Sequence, residues 1–140
     1  MTQSLKPEDK EKHKSKNEKL AKSRIKLGLL LNEFGEKNNL KVIEDAAHAF
    51  GTIYKNNKIG SYGDTICFSF DGIKNITSGE GGAVTTNSIA ISRKMRALRS
   101  HSMEKNTSML PWEYKMKELG FNYRINDFQC ALGISQLNRL

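Results

Sequence analysis

Residues 65–70 read Thr-Ile-Cys-Phe-Ser-Phe, a β-branched and aromatic run that gives way to the polar, glycine-bearing segment DGIKNITSGEGG at 71–82. Such a run predicts a short strand, and the segment after it a loop. Upstream, Lys41-Val42-Ile43-Glu44-Asp45 reads as a buried strand finishing in acids, followed by an Ala-rich segment from Ala46 to Phe50. Downstream, Ala83-Val84-Thr85-Thr86 reads as a third short strand. Between the first two lies YKNNKIGSYG (54–63), with Asn-Asn and two glycines, which predicts a loop or hairpin.

Helical patterns flank these strands. Leu27, Leu29, Leu30, Leu31 and Phe34 form an apolar helical stretch, and Gly35 with the polar EKNN run marks its end. A second helix is expected from near Ser88 through Met95 and Leu98 to about Ser100. Residues 101–120 read as a long loop with a short helix around Tyr114. The last helix opens at Asn126 or Asp127, either a good N-cap, and sets Phe128, Ala131 or Leu132, Leu137 and Leu140 on one face. Short strands alternating with helices argue for an α/β fold, and 140 residues suffice for one domain.

The net charge of +8 is unevenly spread. Residues 1–26 form a Lys-rich leader with nine Lys/Arg against four Asp/Glu, whereas 27–140 hold fourteen against eleven. The leader has one proline and no aromatic residue, a composition that favours a solvated helix or disorder. Without aromatic platforms it does not suit single-stranded nucleic acid, so no nucleic-acid partner is expected. No apolar run approaches the roughly 20 residues a bilayer span needs, and the charged N-terminus does not resemble a secretory signal. Cys67 and Cys130 sit among apolar residues with no metal-ligand spacing, so free buried thiols in the cytoplasm are expected.

Three features carry chemical potential. Asp45 ends an apolar strand, where a carboxylate is either solvated or met by a cation such as Lys, Arg, a metal or a protonated cofactor nitrogen. Lys74 follows the strand after three loop residues; it is either an exposed loop lysine or an amine held in a partly desolvated site and so made nucleophilic. The run Ser78-Gly79-Glu80-Gly81-Gly82 matches neither dinucleotide-binding nor Walker glycine patterns, and its glycines read better as points of close backbone approach.

Taken in order, EDAAHA (44–49), GSYGD (60–64), FSF (68–70) with Lys74-Asn75 beyond it, SGEGG (78–82) and LGFNYR (119–124) leading into DFQCALG (127–133) closely resemble the DegT/DnrJ/EryC1/StrS family. The resemblance covers about residues 38 to 140. It implies part of the large domain of a fold-type I aminotransferase, a mixed, mostly parallel sheet with flanking helices. It also implies a pyridoxal 5'-phosphate cofactor, nucleotide-linked keto-sugar substrates and an amino donor, usually glutamate.

The same resemblance implies roles for matching positions. Lys74 matches the lysine that joins the cofactor covalently, and Asp45 the carboxylate that pairs with its pyridine nitrogen. His48 stands where the family has Gln or His against the cofactor ring. Ser69 matches a serine near the cofactor phosphate. Asn122 matches an asparagine that reaches the phosphate of the neighbouring subunit, which implies a homodimer. No metal site is implied.

The sequence departs from the family in three respects. Neither the glycine-bearing segment that holds the phosphate nor the aromatic residue that stacks on the ring appears, and nothing resembling the C-terminal small domain follows Leu140. The Lys-rich leader has no family counterpart, which divides the chain at 26/27. Asp71-Gly72 replaces the aromatic or His and the Pro or Thr found in many members. The chain is therefore expected to be part of an aminotransferase or one piece of a split enzyme. An inactive remnant, or a binding module reusing the fold, are the alternatives. Residues 1–140 alone are expected neither to fold stably nor to transaminate.

Overall fold

The computed structural model describes residues 7–104, 110 and 112–140. Helix α1 runs from Pro7 to Lys37, so residues 7–26 of the Lys-rich leader and the leucine stretch are one continuous helix across position 26, and the leader's first six residues lie outside the described ones. Its end is a Schellman motif. Leu40 N–H donates to the Gly35 carbonyl (2.8 Å) and Asn39 N–H to the Glu36 carbonyl (3.3 Å), with Asn39 in the left-handed region at φ 55°.

The central sheet has three strands, β1 (Ile43–Asp45), β4 (Thr65–Ser69) and β5 (Gly82–Thr85), in the order β1-β4-β5. β1 and β4 are parallel with Asp45 opposite Cys67, and β4 and β5 are antiparallel with Ser69 opposite Gly82. Gly82 is required here by close approach, because a Cβ would lie 2.6 Å from the Phe68 carbonyl oxygen. The turn-rich segment forms a tight hairpin, β2 (Ile53–Tyr54) and β3 (Asn57–Lys58). Its two connecting residues, Lys55 and Asn56, both take positive φ, as a type I′ turn demands.

The two faces of the sheet differ. One presents Ile66 and Phe68, which are buried with Ala46, while Ala49, Phe50, Ile59 and Phe70 pack around them. Phe50 meets Phe68 and Phe70 edge to face, with centroids 5.2 and 5.3 Å apart. The other carries Ile43, Asp45, Cys67, Ser69 and Val84, all half-buried or exposed. Cys67 and Cys130 are free thiols, half-buried rather than buried.

α1 meets the sheet through small and polar residues. Asn32 Nδ2 donates to Glu44 Oε1 at 2.6 Å, and added Cβ atoms on Gly28 and Gly35 would meet Glu44 and Val42 at 2.9 and 2.6 Å. The stripe of Leu27, Leu30, Leu31 and Phe34 points elsewhere, each residue at least half exposed.

Helix α2 (Ile89–Arg99) starts at the expected Ser88, whose Oγ accepts from Ile91 N–H, and carries Arg96 and Arg99 in its last turn. The expected helix around Tyr114 is replaced by a strand pair, β6 (Met103–Glu104) with β7 (Lys115–Met116). Lys117 N–H donates to the Ser102 carbonyl and Glu113 N–H closes a turn onto Leu110, so the backbone bonds of this stretch are spent away from a helix. Helix α3 (Asp127–Leu137) opens at Asn126 with a reciprocal capping box to Gln129. Its Phe128, Leu132, Leu137 and Leu140 face are all exposed. Among the described residues no helix is long and apolar enough to cross a membrane.

Candidate active site

The carboxyl ends of the parallel strands β1 and β4 are where ligands bind in open α/β sheets, and four of the five expected site residues lie there. Asp45 is the last residue of β1 and Ser69 the last of β4, on the same open face of the sheet. His48 and Lys74 belong to the segments that leave these two strands.

The segment after β1 is a tight turn. Asp45 Oδ1 accepts from Ala47 N–H (3.0 Å), the Ala46 carbonyl accepts from Ala49 N–H (2.9 Å), and Ala46 N–H donates to the Cys67 carbonyl (2.8 Å). Asp45 therefore shapes the turn that carries His48. Its carboxylate is exposed and makes no ion pair with Lys74.

The segment after β4 is a loop closed at Phe70. Phe70 N–H donates to the Gly81 carbonyl (2.8 Å), and the Phe70 carbonyl accepts from Ser78 N–H (2.9 Å) and Thr77 Oγ1 (3.1 Å). Ile76, only 4 % exposed, and Ser78, whose Oγ donates to the Glu80 carbonyl, anchor the loop from within. Asp71 Oδ1 accepts from Ile73 N–H and the Asp71 carbonyl from Lys74 N–H, which fixes the backbone just before the lysine side chain. Ser69 Oγ accepts a long bond, 3.4 Å, from Asp71 N–H and keeps its own proton to donate.

Two contacts join the two segments. Lys74 Nζ lies 3.1 Å from His48 Nε2, and Asn75 Nδ2 donates to the Phe50 carbonyl at 2.9 Å. Asn75 stood in the sequence motif without a role; its amide directly after the lysine was the available signal. Asn122 makes no hydrogen bond to Asp45, His48, Ser69 or Lys74. It pairs with Ser100 in an isolated bridge, and its Oδ1 accepts from Arg124 Nε at 2.8 Å.

Burial, then the charge of Glu44, then Tyr54 push the Tyr62 phenol above the usual tyrosine value.

An amine, a carboxylate, an imidazole and a hydroxyl thus stand at the ends of two neighbouring strands, with the amine and the imidazole in contact. The model of the DegT/DnrJ/EryC1/StrS aminotransferase family matches residues 30–140. The chain is 44 % identical over 110 residues to a UDP-4-amino-4,6-dideoxy-N-acetyl-beta-L-altrosamine transaminase of Campylobacter jejuni, covering 79 % of this chain and 28 % of that protein. Helicobacter pylori PseC, an aminotransferase involved in the biosynthesis of pseudoaminic acid, superposes with a TM-score of 0.72 at 41 % identity, over 77 % of this chain and 28 % of its own. Spr1654 from Streptococcus pneumoniae, solved in its PMP-form, superposes with a TM-score of 0.65 at 30 % identity, over 71 % of this chain and 28 % of its own. The chain thus spans little more than a quarter of the length of these relatives. Over the part it does span, it belongs to the DegT/DnrJ/EryC1/StrS aminotransferase family.

Proposed function

We propose that this chain contributes the lysine-bearing strand ends of a pyridoxal-phosphate-dependent transaminase acting on nucleotide-linked keto-sugars, with glutamate as amino donor. The observation that carries the reading is the grouping of Lys74, Asp45, His48 and Ser69 at the carboxyl ends of β1 and β4. The donor set suits the cofactor, because amine and carboxylate share the site without neutralising each other as an ion pair.

When bound, pyridoxal phosphate supplies an aldehyde and a protonatable ring that accepts negative charge from an adjacent carbon. Lys74 Nζ would provide the amine for that aldehyde. The same amine, when free, would act as general base towards the donor's α-proton and, in the other half-reaction, as general acid towards the acceptor carbon. Asp45 would keep the ring nitrogen protonated, since a neighbouring carboxylate favours the cationic form. The Ser69 hydroxyl would donate to the phosphate, and His48 would lie against the ring.

Asn122, exposed and not hydrogen-bonded to the other four, would serve the phosphate of a neighbouring subunit in a homodimer. The Lys-rich residues 1–26 form a leader distinct from the aminotransferase part at 27–140, and the protein works in the cytoplasm. The test is incubation of the chain with pyridoxal phosphate, reduction with borohydride and peptide mapping. Label concentrated on Lys74 is expected; label spread evenly over Lys55, Lys58 and Lys94 would refute the reading.

A further inference from the structure

From the 3.1 Å contact between Lys74 Nζ and His48 Nε2, we infer that His48 is a positioning residue that holds the Lys74 amine at the strand ends. The role deepens the function proposed above and rests on it. With the amine as donor in this contact, Nε2 accepts and the other ring nitrogen, Nδ1, is left to carry the imidazole's proton. An unrestrained lysine side chain has four flexible torsions and visits many rotamers, only a few of which face the sheet.

Both sides of the contact are prepared by the backbone. His48 is presented by the turn that Asp45 Oδ1 and the Ala46 carbonyl close, which is itself tied to β4 through the Cys67 carbonyl. Lys74 is fixed by its N–H bond to Asp71, and the next residue, Asn75, ties the loop to Phe50. An exposed histidine and a half-buried lysine 26 positions apart therefore meet on supports that are each hydrogen-bonded in place. Asp45 thereby contributes twice, by its own carboxylate and by shaping the turn that carries His48.

The test uses the whole chain and a small aldehyde that needs no cofactor site. Reductive methylation with formaldehyde and cyanoborohydride is followed by mass spectrometry at Lys74, with exposed Lys37 and Lys58 as references on the same molecule. An amine engaged with an acceptor reacts slowly, so Lys74 should lag the references by roughly 3-fold to 10-fold. His48→Ala should bring it to parity, and His48→Gln, whose amide oxygen also accepts, should restore the lag. Equal Lys74 rates in all three proteins, or a Gln variant that behaves like Ala, would overturn the inference. Failure of pyridoxal phosphate to select Lys74 would count instead against the proposed function, because formaldehyde reads the contact alone.

Discussion

The Asn75 side-chain amide donates to the Phe50 carbonyl over 2.9 Å, and this bond ties the loop after β4 to the turn after β1. Phe50 in turn lies edge-on to Phe68 and Phe70 in the small core, so the loop that carries Lys74 is referenced to the packed part of the fold. Removing the amide should release the loop without disturbing the core. Asn75→Ala is expected to cost about 1 kcal/mol locally, the net worth of one such bond. Hydrogen exchange should quicken for the amides of 71–76 and stay unchanged at Ile66 and Phe68. Unchanged loop exchange would show that the bond is not what holds it.

The glycine run after this loop predicts a second, sharper effect. A Cβ at Gly82 would sit 2.6 Å from the Phe68 carbonyl, a backbone atom that cannot move aside without opening the β4–β5 ladder. Gly82→Ala should therefore cost about 1–3 kcal/mol of local strand pairing. Gly72→Ala, with nothing within 4 Å, should cost far less. Limited proteolysis and exchange at Val84 and Phe68 compare the two variants directly.

Tyr62 gives a pH-dependent readout of the helix–sheet contact. Burial first, then Glu44 and Tyr54, raise its phenol above 10.0, so the folded chain holds that proton more tightly than the unfolded chain. A raised pKa contributes stability that is fully present below the unfolded value and is lost as pH rises through the folded one. Absorbance titration at alkaline pH should resolve a late-ionising tyrosine that disappears in Tyr62→Phe. Glu44→Gln should move that step towards, but not fully to, the usual value, because burial is the larger cause.

The role proposed for Asp45 is open to a chimera in which residues 30–140 replace the matching segment of PseC. Asp45→Asn in that background should lower turnover by about 100-fold or more while cofactor binding persists in part, because the electron sink weakens when its ring proton is lost. Near-normal turnover would refute the role.

The strands were legible because each is a local run of β-branched and aromatic residues, and in β4 the alternation of buried Ile66 and Phe68 with half-buried neighbours follows from the two-residue period. The positions of Asp45 and Lys74 after those strands followed with them. What stayed hidden depends on contacts between distant segments. The β6–β7 pair joins residues 103 and 116, and nothing local in the Tyr114 region announces it. The meeting of His48 with Lys74 needs both the Asp45 turn and the Asn75 tether to be known. For α1, the apolar stretch at 27–34 does not by itself say which side of the helix meets the sheet. The sheet is met through Gly28, Asn32 and Gly35, about a third of a turn from the leucine stripe, because the Glu44 carboxylate takes the Asn32 amide and lies against Gly28, while Val42 fills the space at Gly35.

That rotation of α1 sets the last prediction. Leu27, Leu30, Leu31 and Phe34 stand at i, i+3, i+4 and i+7, a continuous apolar stripe, and are 50–58 % exposed. Ile43 at 73 % and Phe128 at 90 % add apolar surface on β1 and α3, while the buried hydrophobic side chains among the described residues are Ala46, Ile66, Phe68 and Ile76. Soluble monomers rarely leave contiguous apolar patches of this kind uncovered, and uncovered ones drive association. The 140-residue chain on its own should therefore self-associate and bind a hydrophobic dye such as ANS. Changing Leu30 and Phe34 to Lys should reduce both dye binding and sedimenting species without altering the Lys74 contact, since neither residue takes part in the Asn32–Glu44 bond. Analytical ultracentrifugation across a concentration series decides the matter. A monodisperse monomer that binds no dye would mean that the stripe is covered within the chain.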